Sequence, residues 1–195
     1  MMIRILRANV SREAALAELE PGGLRRLVGP PLRKLAEIYI PFRLYRVVVT
    51  NAERREEKMF AVDGVRGNLD VFEFESAPET DEMASKNTIP AGMSLEKSAE
   101  AASDYVRRIV FKKGFFKVKE LKIEPELVAE FHYPYWVGFY GAGEMVTLEV
   151  LDAVRRRKEG AKVRELVREW LGAEAAEGQQ SSANRSGGSR ILGGT

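Results

Sequence analysis

The chain has 195 residues, with 31 Lys and Arg against 29 Asp and Glu, one His and no Cys. That length holds one domain or two small ones sharing a core. The lack of cysteine excludes disulfides, thiolate metal sites and a cysteine nucleophile, and a net charge of +2 is too balanced to make nucleic acid an expected partner.

The first ten residues carry Arg4 and Arg7 where a secretory signal needs an uncharged apolar stretch. No run approaches the ~18 apolar residues of a membrane span. The expectation is a cytoplasmic protein with no membrane span.

Ser11 is the predicted N-cap of a short helix through Ala14, Leu16 and Leu19, stopped by Pro21-Gly22-Gly23. A second short helix is expected on Leu24, Leu27 and Val28, before the break at Gly29-Pro30-Pro31. Residues 32–37 read as one more helical turn. Residues 38–50, aromatic and β-branched, read as the first strand, with Pro41 at its start or on an edge because it cannot donate to a ladder. A charged hairpin loop over 51–58 leads to a return strand at 59–62. Asp63-Gly64 and Gly67-Asn68 supply turn chemistry, and residues 69–75 form a third strand.

Residues 76–93, with Pro78 and Pro90, read as a polar linker. Ser94 caps a central helix whose apolar stripe is Leu95, Ala99, Ala102, Val106, Ile109 and Val110, ended by Gly114. A strand over 115–123, a break at Pro125 and a long aromatic strand over 128–140 follow. Gly141-Ala142-Gly143 then turns the chain into a return strand at 145–151, where Val146, Leu148 and Val150 alternate with Thr147 and Glu149. A last helix carries Val163, Leu166, Val167, Trp170 and Leu171 and closes at Gly172. From 173 onward the Ser- and Gly-rich sequence predicts a disordered tail.

The two halves repeat one another. Glu37, Pro41 and Phe42 answer Glu130, Pro134 and Tyr135, and Val62-Asp63-Gly64-Val65-Arg66 answers Leu151-Asp152-Ala153-Val154-Arg155. Pro41 to Asp63 spans 22 positions and Pro134 to Asp152 spans 18. The difference falls in the hairpin loop, where insertions cost little. The expected fold is α+β: two related helix-plus-antiparallel-sheet units packed in one globule, with a C-terminal helix and a disordered tail. The first unit is placed at 1–75, the linker at 76–93, the second unit with its C-terminal helix at 94–172, and the tail at 173–195.

A helix, a hairpin and a closing turn, carried by residues 45–49 with Phe60-Ala61-Val62-Asp63-Gly64-Val65-Arg66-Gly67 and again by residues 94–110 with Val150-Leu151-Asp152-Ala153, resemble the PepSY-like repeat. That resemblance implies a cystatin-like α+β topology over most of residues 11–165 and a binding or inhibitory module rather than a catalyst. Arg156 stands where the first copy has Gly67, so the second turn departs from the motif.

The strongest local signal is the aromatic run. On an ideal strand Phe131, Tyr133, Tyr135, Val137 and Phe139 face one way, and His132, Pro134, Trp136, Gly138 and Tyr140 the other. One face must be core. The other is either covered by helices or presents Trp136 and Tyr140 to a ligand or partner. His132, the only histidine, has Glu130 two positions away on the same face, but lacks the companions a zinc site needs. Asp63 and Asp152 read as turn acceptors. The basic clusters at 25–26, 33–34 and 155–158 read as solvated surface.

The functional expectation is a non-catalytic protein- or ligand-binding module, without metal or cofactor, acting through Tyr133, Tyr135, Trp136, Tyr140, His132 and Glu130 and their first-copy counterparts Tyr39 and Tyr45. Its partner would be another protein or a second copy of the chain in a homodimer. The alternative is an enzyme or carrier for a small, partly apolar ligand held between the central helix and the sheet.

Overall fold

The computed structural model describes residues 1–22, 29–51, 54–69, 71–112, 120–141 and 146–186. Among them, three helices cover a curled seven-stranded sheet in a mixed α+β fold. In chain order the elements are β1 (Met2–Leu6), α1 (Arg12–Leu19), β2 (Leu32–Asn51), β3 (Arg54–Asp63), β4 (Phe72–Phe74), β5 (Thr80–Ala84), α2 (Leu95–Lys112), β6 (Leu121–Tyr140), β7 (Thr147–Asp152) and α3 (Ala161–Ser186).

The backbone of the fold is the antiparallel pair β2–β6, which runs from Leu32 opposite Tyr140 to Asn51 opposite Leu121 with register shifts between Leu32 and Lys34 and between Leu44 and Tyr45. Each long strand folds back into a hairpin on its outer side. The β3 hairpin pairs Phe42 with Asp63, and the β7 hairpin pairs Tyr135 with Asp152. β1 runs parallel to β6 at Ile5 and His132 and antiparallel to β5. Past β5 the chain returns to β2 through a parallel bridge between Thr88 and Tyr39. The sheet therefore curls until β2, β6, β1 and the stretch through Thr88 form a ring.

Pro41 and Pro134 fit their long strands because each stands at a gap in the outer edge. Pro41 lies between the bridge at Tyr39 and the start of β3 pairing at Phe42. Pro134 lies between the β1 bridge at His132 and the start of β7 pairing at Tyr135. The missing N–H faces no partner strand there. Pro125 obeys the same rule, since β6 is paired only on its β2 side at that point.

The two hairpins end in corners built alike. Asp63 Oδ1 accepts from Val65 and Arg66, and Asp152 Oδ1 from Val154 and Arg155. Gly64 N–H donates to Pro41 O at 2.7 Å, and Ala153 N–H to Pro134 O at 3.2 Å. The Gly64 carbonyl accepts the N–H groups of Gly92 and Met93, and the Ala153 carbonyl those of Asn9 and Val10. A serine cap follows each pair: Ser94 Oγ accepts from Lys97, and Ser11 Oγ from Ala14.

Both faces of the sheet are covered. One carries Phe42, Leu44, Phe131, Tyr133, Tyr135 and Val137 against Phe72 and the α3 residues Val163, Leu166 and Val167. On the other, α1 packs on Trp136, Leu151 and Ala153 at one end, and α2 packs on Tyr45, Val47, Phe60 and Val62 at the other. Helices α1 and α2 thus each sit on the hairpin that belongs to the other half of the chain.

Several local expectations are corrected. Residues 32–37 are strand rather than a helical turn, because pairing with the aromatic end of β6 outweighs local preference. The hairpin strands extend to Asn51 and from Arg54, into the expected charged loop. Pro125 does not break β6. The linker at 76–93 holds β5, the Thr88 bridge and the core residue Ile89. Helix α3 passes Gly172 and continues to Ser186, so the tail expected from 173 is helical over 173–186; residues 187–195 lie outside the described residues, as do the helix expected at 24–28, residues 115–119 of the strand expected at 115–123 and residues 142–143 of the expected turn.

Candidate functional site

The aromatic strand is core. Tyr39, Tyr45, Tyr133 and Tyr135 are at most 2% exposed, Tyr140 is 6% and Trp136 8%. Four of the polar tips are spent inside the fold. Trp136 Nε1–H donates to Val10 O at 3.0 Å, Tyr140 OH to Leu19 O at 2.6 Å, and Tyr133 OH to the Asp152 carboxylate at 3.0 Å. Tyr45 OH meets Ser98 Oγ at 2.5 Å and the Leu95 carbonyl at 3.2 Å. Tyr45, Tyr133, Tyr135, Trp136 and Tyr140, expected to anchor a partner, therefore pack helices against the sheet, and Tyr39 is buried at the Thr88 bridge. Burial holds the phenols of Tyr39, Tyr133 and Tyr135 above their ordinary range and pushes Tyr140 to about 12.

The space between α2 and the sheet, expected as a ligand site, is filled by Tyr45, Val47, Phe60, Val62, Ala102 and Val106. Asp152, fully buried, accepts from Tyr133, two backbone N–H groups and Arg155 Nε at 2.6 Å. Arg155 also donates to Glu159 and lies over the Phe72 ring at 4.1 Å. This network binds the β7 corner to the core and is structural. Asp63 and Asp152 are turn acceptors, as their sequence context suggests.

His132 and Glu130 are placed differently. They line a cleft of about 480 Å³ together with residues 1–4, 41–43 and 88–91. β1 forms one wall, the paired β2 and β6 residues 41–43 and 130–132 the floor, and the segment leading into α2 the other wall. Met1, Met2, Ile3, Phe42, Ile89 and Pro90 make the lining largely apolar.

Arg43 forms the polar border. It is 8% exposed, its Nε donates to Glu130 at 2.7 Å, and its Nη1 reaches Met93 O, Ser94 O and Ser98 Oγ at 2.9, 2.9 and 3.1 Å. A planar fork is suited to this multiple bonding in a way an ammonium is not. The Glu130 side chain is 59% exposed, so part of its carboxylate faces water. The half-buried His132 ring donates from Nδ1 to Arg4 O at 3.3 Å, because a carbonyl only accepts. Burial lowers its proton affinity, against the opposing effects of the Arg4 carbonyl and Glu130. A neutral ring bonded in this way leaves Nε2 as an acceptor. The cleft offers an apolar bed, one acceptor nitrogen and one carboxylate.

The sequence reading missed Arg43, β1 and residues 88–91. An arginine inside the otherwise apolar stretch from Tyr39 to Tyr45 marks the first, and the alternation of Ile3 and Ile5 with Arg4 marks the second. The third was hidden by Pro90, which resembles linker sequence.

Among the described residues no three His, Cys, Asp or Glu side chains gather as a metal site, and no helix is long and apolar enough to cross a membrane. No protein-family model, curated protein or solved structure matches the chain.

Proposed function

We propose that the protein is a non-catalytic binding module built from two related helix-plus-sheet units, and that it takes its ligand in the cleft between β1 and the β2–β6 pair. The cleft itself carries this reading: it gathers His132, Glu130 and Arg43 around an apolar lining. The buried ionisable groups Asp63, Asp152 and Arg43 support it, because their bonds hold corners and helix starts in place. The PepSY-like turn motif also points toward binding.

Kinship of the two units is supported by the matched corners. The residues equivalent in sequence, Phe42 with Tyr135 and Asp63 with Asp152, occupy equivalent ladder positions. On this reading each unit runs strand, helix, hairpin, with the stretch through Thr88 opening the second. The two units are joined by exchange of their helices.

The test is a titration of the full chain with the fluorophore anilinonaphthalene sulfonate. Saturable binding to one site is expected, weakened about tenfold in Ala91→Trp, which fills the cleft without removing a hydrogen bond. Equal binding by both proteins would sink the reading.

A further inference from the structure

We infer that the occupant of this cleft is an extended segment of a partner polypeptide, added as a strand beside Thr88. The inference rests on the cleft being a binding site and names what binds there.

The starting point is a difference between the two halves. β1 bridges β6 in parallel at Ile5 and His132, and the stretch after β5 bridges β2 in parallel at Thr88 and Tyr39. Tyr39 and His132 are equivalent in the repeat, and so are Ser11 and Ser94, the caps of the helices that follow. Ile5 and Thr88 lie at the same distance before those serines. The two short strands are therefore counterparts. On its outer side β1 has a full antiparallel partner, with Met2 to Leu6 opposite Ala84 to Thr80. The counterpart strand has one bond in the equivalent place, from Ser85 N–H to Met1 O at 3.1 Å.

The groups left over are those a strand would use. Asn87 O and Ile89 N–H are bonded to Tyr39. Thr88 lies between them, so its own N–H and C=O turn away from β2. Among the described residues neither has a backbone partner. Thr88 Oγ1 is also buried without a hydrogen-bond partner. An unpaired strand edge is a template for another chain. Thr88 lines the cleft with Met1, Met2, Ile3 and Pro90, so alternate residues of an added strand would meet an apolar lining. In the filled half that position is held by Met83, opposite Ile3. The fitting partner is an extended peptide with an apolar side chain at every second residue.

The test supplies such a strand at high effective concentration by linking it to the chain. Thr-Asp-Glu-Met, the first four residues of β5, is placed ahead of Met1 of the 195-residue chain. Amide hydrogen exchange is read at Thr88, and anilinonaphthalene sulfonate binding is measured on the same samples. A control extension, Thr-Pro-Glu-Met, has the same length but lacks the ladder donor opposite Thr88.

The expected result is exchange at Thr88 slowed about tenfold by the first extension and not by the control, with loss of dye binding only in the first. Unchanged exchange at Thr88 with either extension, in a protein whose unextended form binds the dye, overturns strand addition and leaves the cleft reading intact. Equal protection by both extensions also overturns it, because simple covering then suffices. Failure of the unextended protein to bind dye, with no protection at Thr88, overturns both.

Discussion

Arg43 and Trp136 make the same contact with different chemistry. Each projects from a long central strand and donates to the carbonyl of the residue before a serine cap: Arg43 Nη1 to Met93 O, and Trp136 Nε1 to Val10 O. Each also stands opposite a glutamate across the β2–β6 ladder, Glu130 and Glu37 respectively. These contacts fix where α2 and α1 begin on the sheet.

Substituting either residue should release a helix start. Arg43→Met leaves the Met93 and Ser94 carbonyls short of a donor and should cost about 2–3 kcal/mol; Trp136→Phe keeps the ring packing but orphans Val10 O and should cost about 1–2 kcal/mol. Urea unfolding midpoints measure both. A midpoint unchanged in both variants would show that the helices are held by packing alone.

The two corner aspartates should differ in cost. Asp63 accepts four backbone N–H groups, from Val65, Arg66, Gly67 and Leu69. Asp152 accepts two and also pairs with Arg155 and Tyr133. Asn retains one acceptor oxygen but loses the charge. Asp63→Asn should cost about 1–3 kcal/mol from the second carboxylate oxygen. Asp152→Asn should cost about 1 kcal/mol more, because it also weakens a pair whose arginine is only partly exposed. Chemical denaturation of both variants gives the comparison; a milder effect at Asp152 would contradict the assigned network.

Glycine is required at the first corner for two separate reasons. At Gly67, φ is +67°, and an added Cβ would also lie 2.8 Å from the end of the Met93 side chain. Gly67→Ala should cost about 1 kcal/mol from backbone strain, since a methionine tip can move. At Gly92 an added Cβ would lie 2.9 Å from the Val65 carbonyl oxygen, which is backbone. Gly92→Ala should cost about 1–3 kcal/mol by forcing the corner apart. Thermal unfolding would order the two, and a more stable Gly92→Ala protein would contradict the geometry.

Acid should weaken the fold through His132. Its folded proton affinity is lowered, first by burial, so near its ordinary pKa of about 6.5 the unfolded chain binds more protons than the folded one. This contribution is full above that value and is lost as pH falls through it toward the lower folded pKa. The groups facing the ring are the Arg4 carbonyl and Glu130, and both oppose the effect. Stability curves for the native chain and His132→Gln should therefore converge or cross between pH 7 and 5, roughly the range where an ordinary histidine titrates. Parallel curves would remove His132 as the cause.

Tyr140 gives the alkaline counterpart. Its folded pKa is raised to about 12, by burial and then by Glu149. Its stabilising effect is thus complete below its unfolded pKa of about 10 and is lost as pH rises beyond that. Tyrosinate absorbance in the native protein should lag that of the unfolded chain, and Tyr140→Phe should reduce the lag. An unaltered titration would place the phenol in water.

The sequence alone determined what depends on near neighbours. Helix α1 follows from Ser11 and α2 from Ser94 with its apolar stripe, because a cap and a 3.6-residue period act within a few turns of chain. The turn roles of Asp63 and Asp152 follow for the same reason, as does the assignment of Phe131, Tyr133, Tyr135 and Val137 to one face, since strand side chains alternate whatever the neighbours are. Only the tertiary structure decided what covers the opposite face. Trp136 and Tyr140 are anchors for a partner in an open sheet and core in this one, and the difference lies in α1, far away in sequence, reaching across to the β7 hairpin. The same holds for the cleft. Its walls come from residues 1–4, 41–43, 88–91 and 130–132, brought together because β2 and β6 pair along their full length and the sheet curls into a ring. Register and curl are set by contacts between distant segments, and no local pattern in Met1, Thr88 or His132 encodes that they meet.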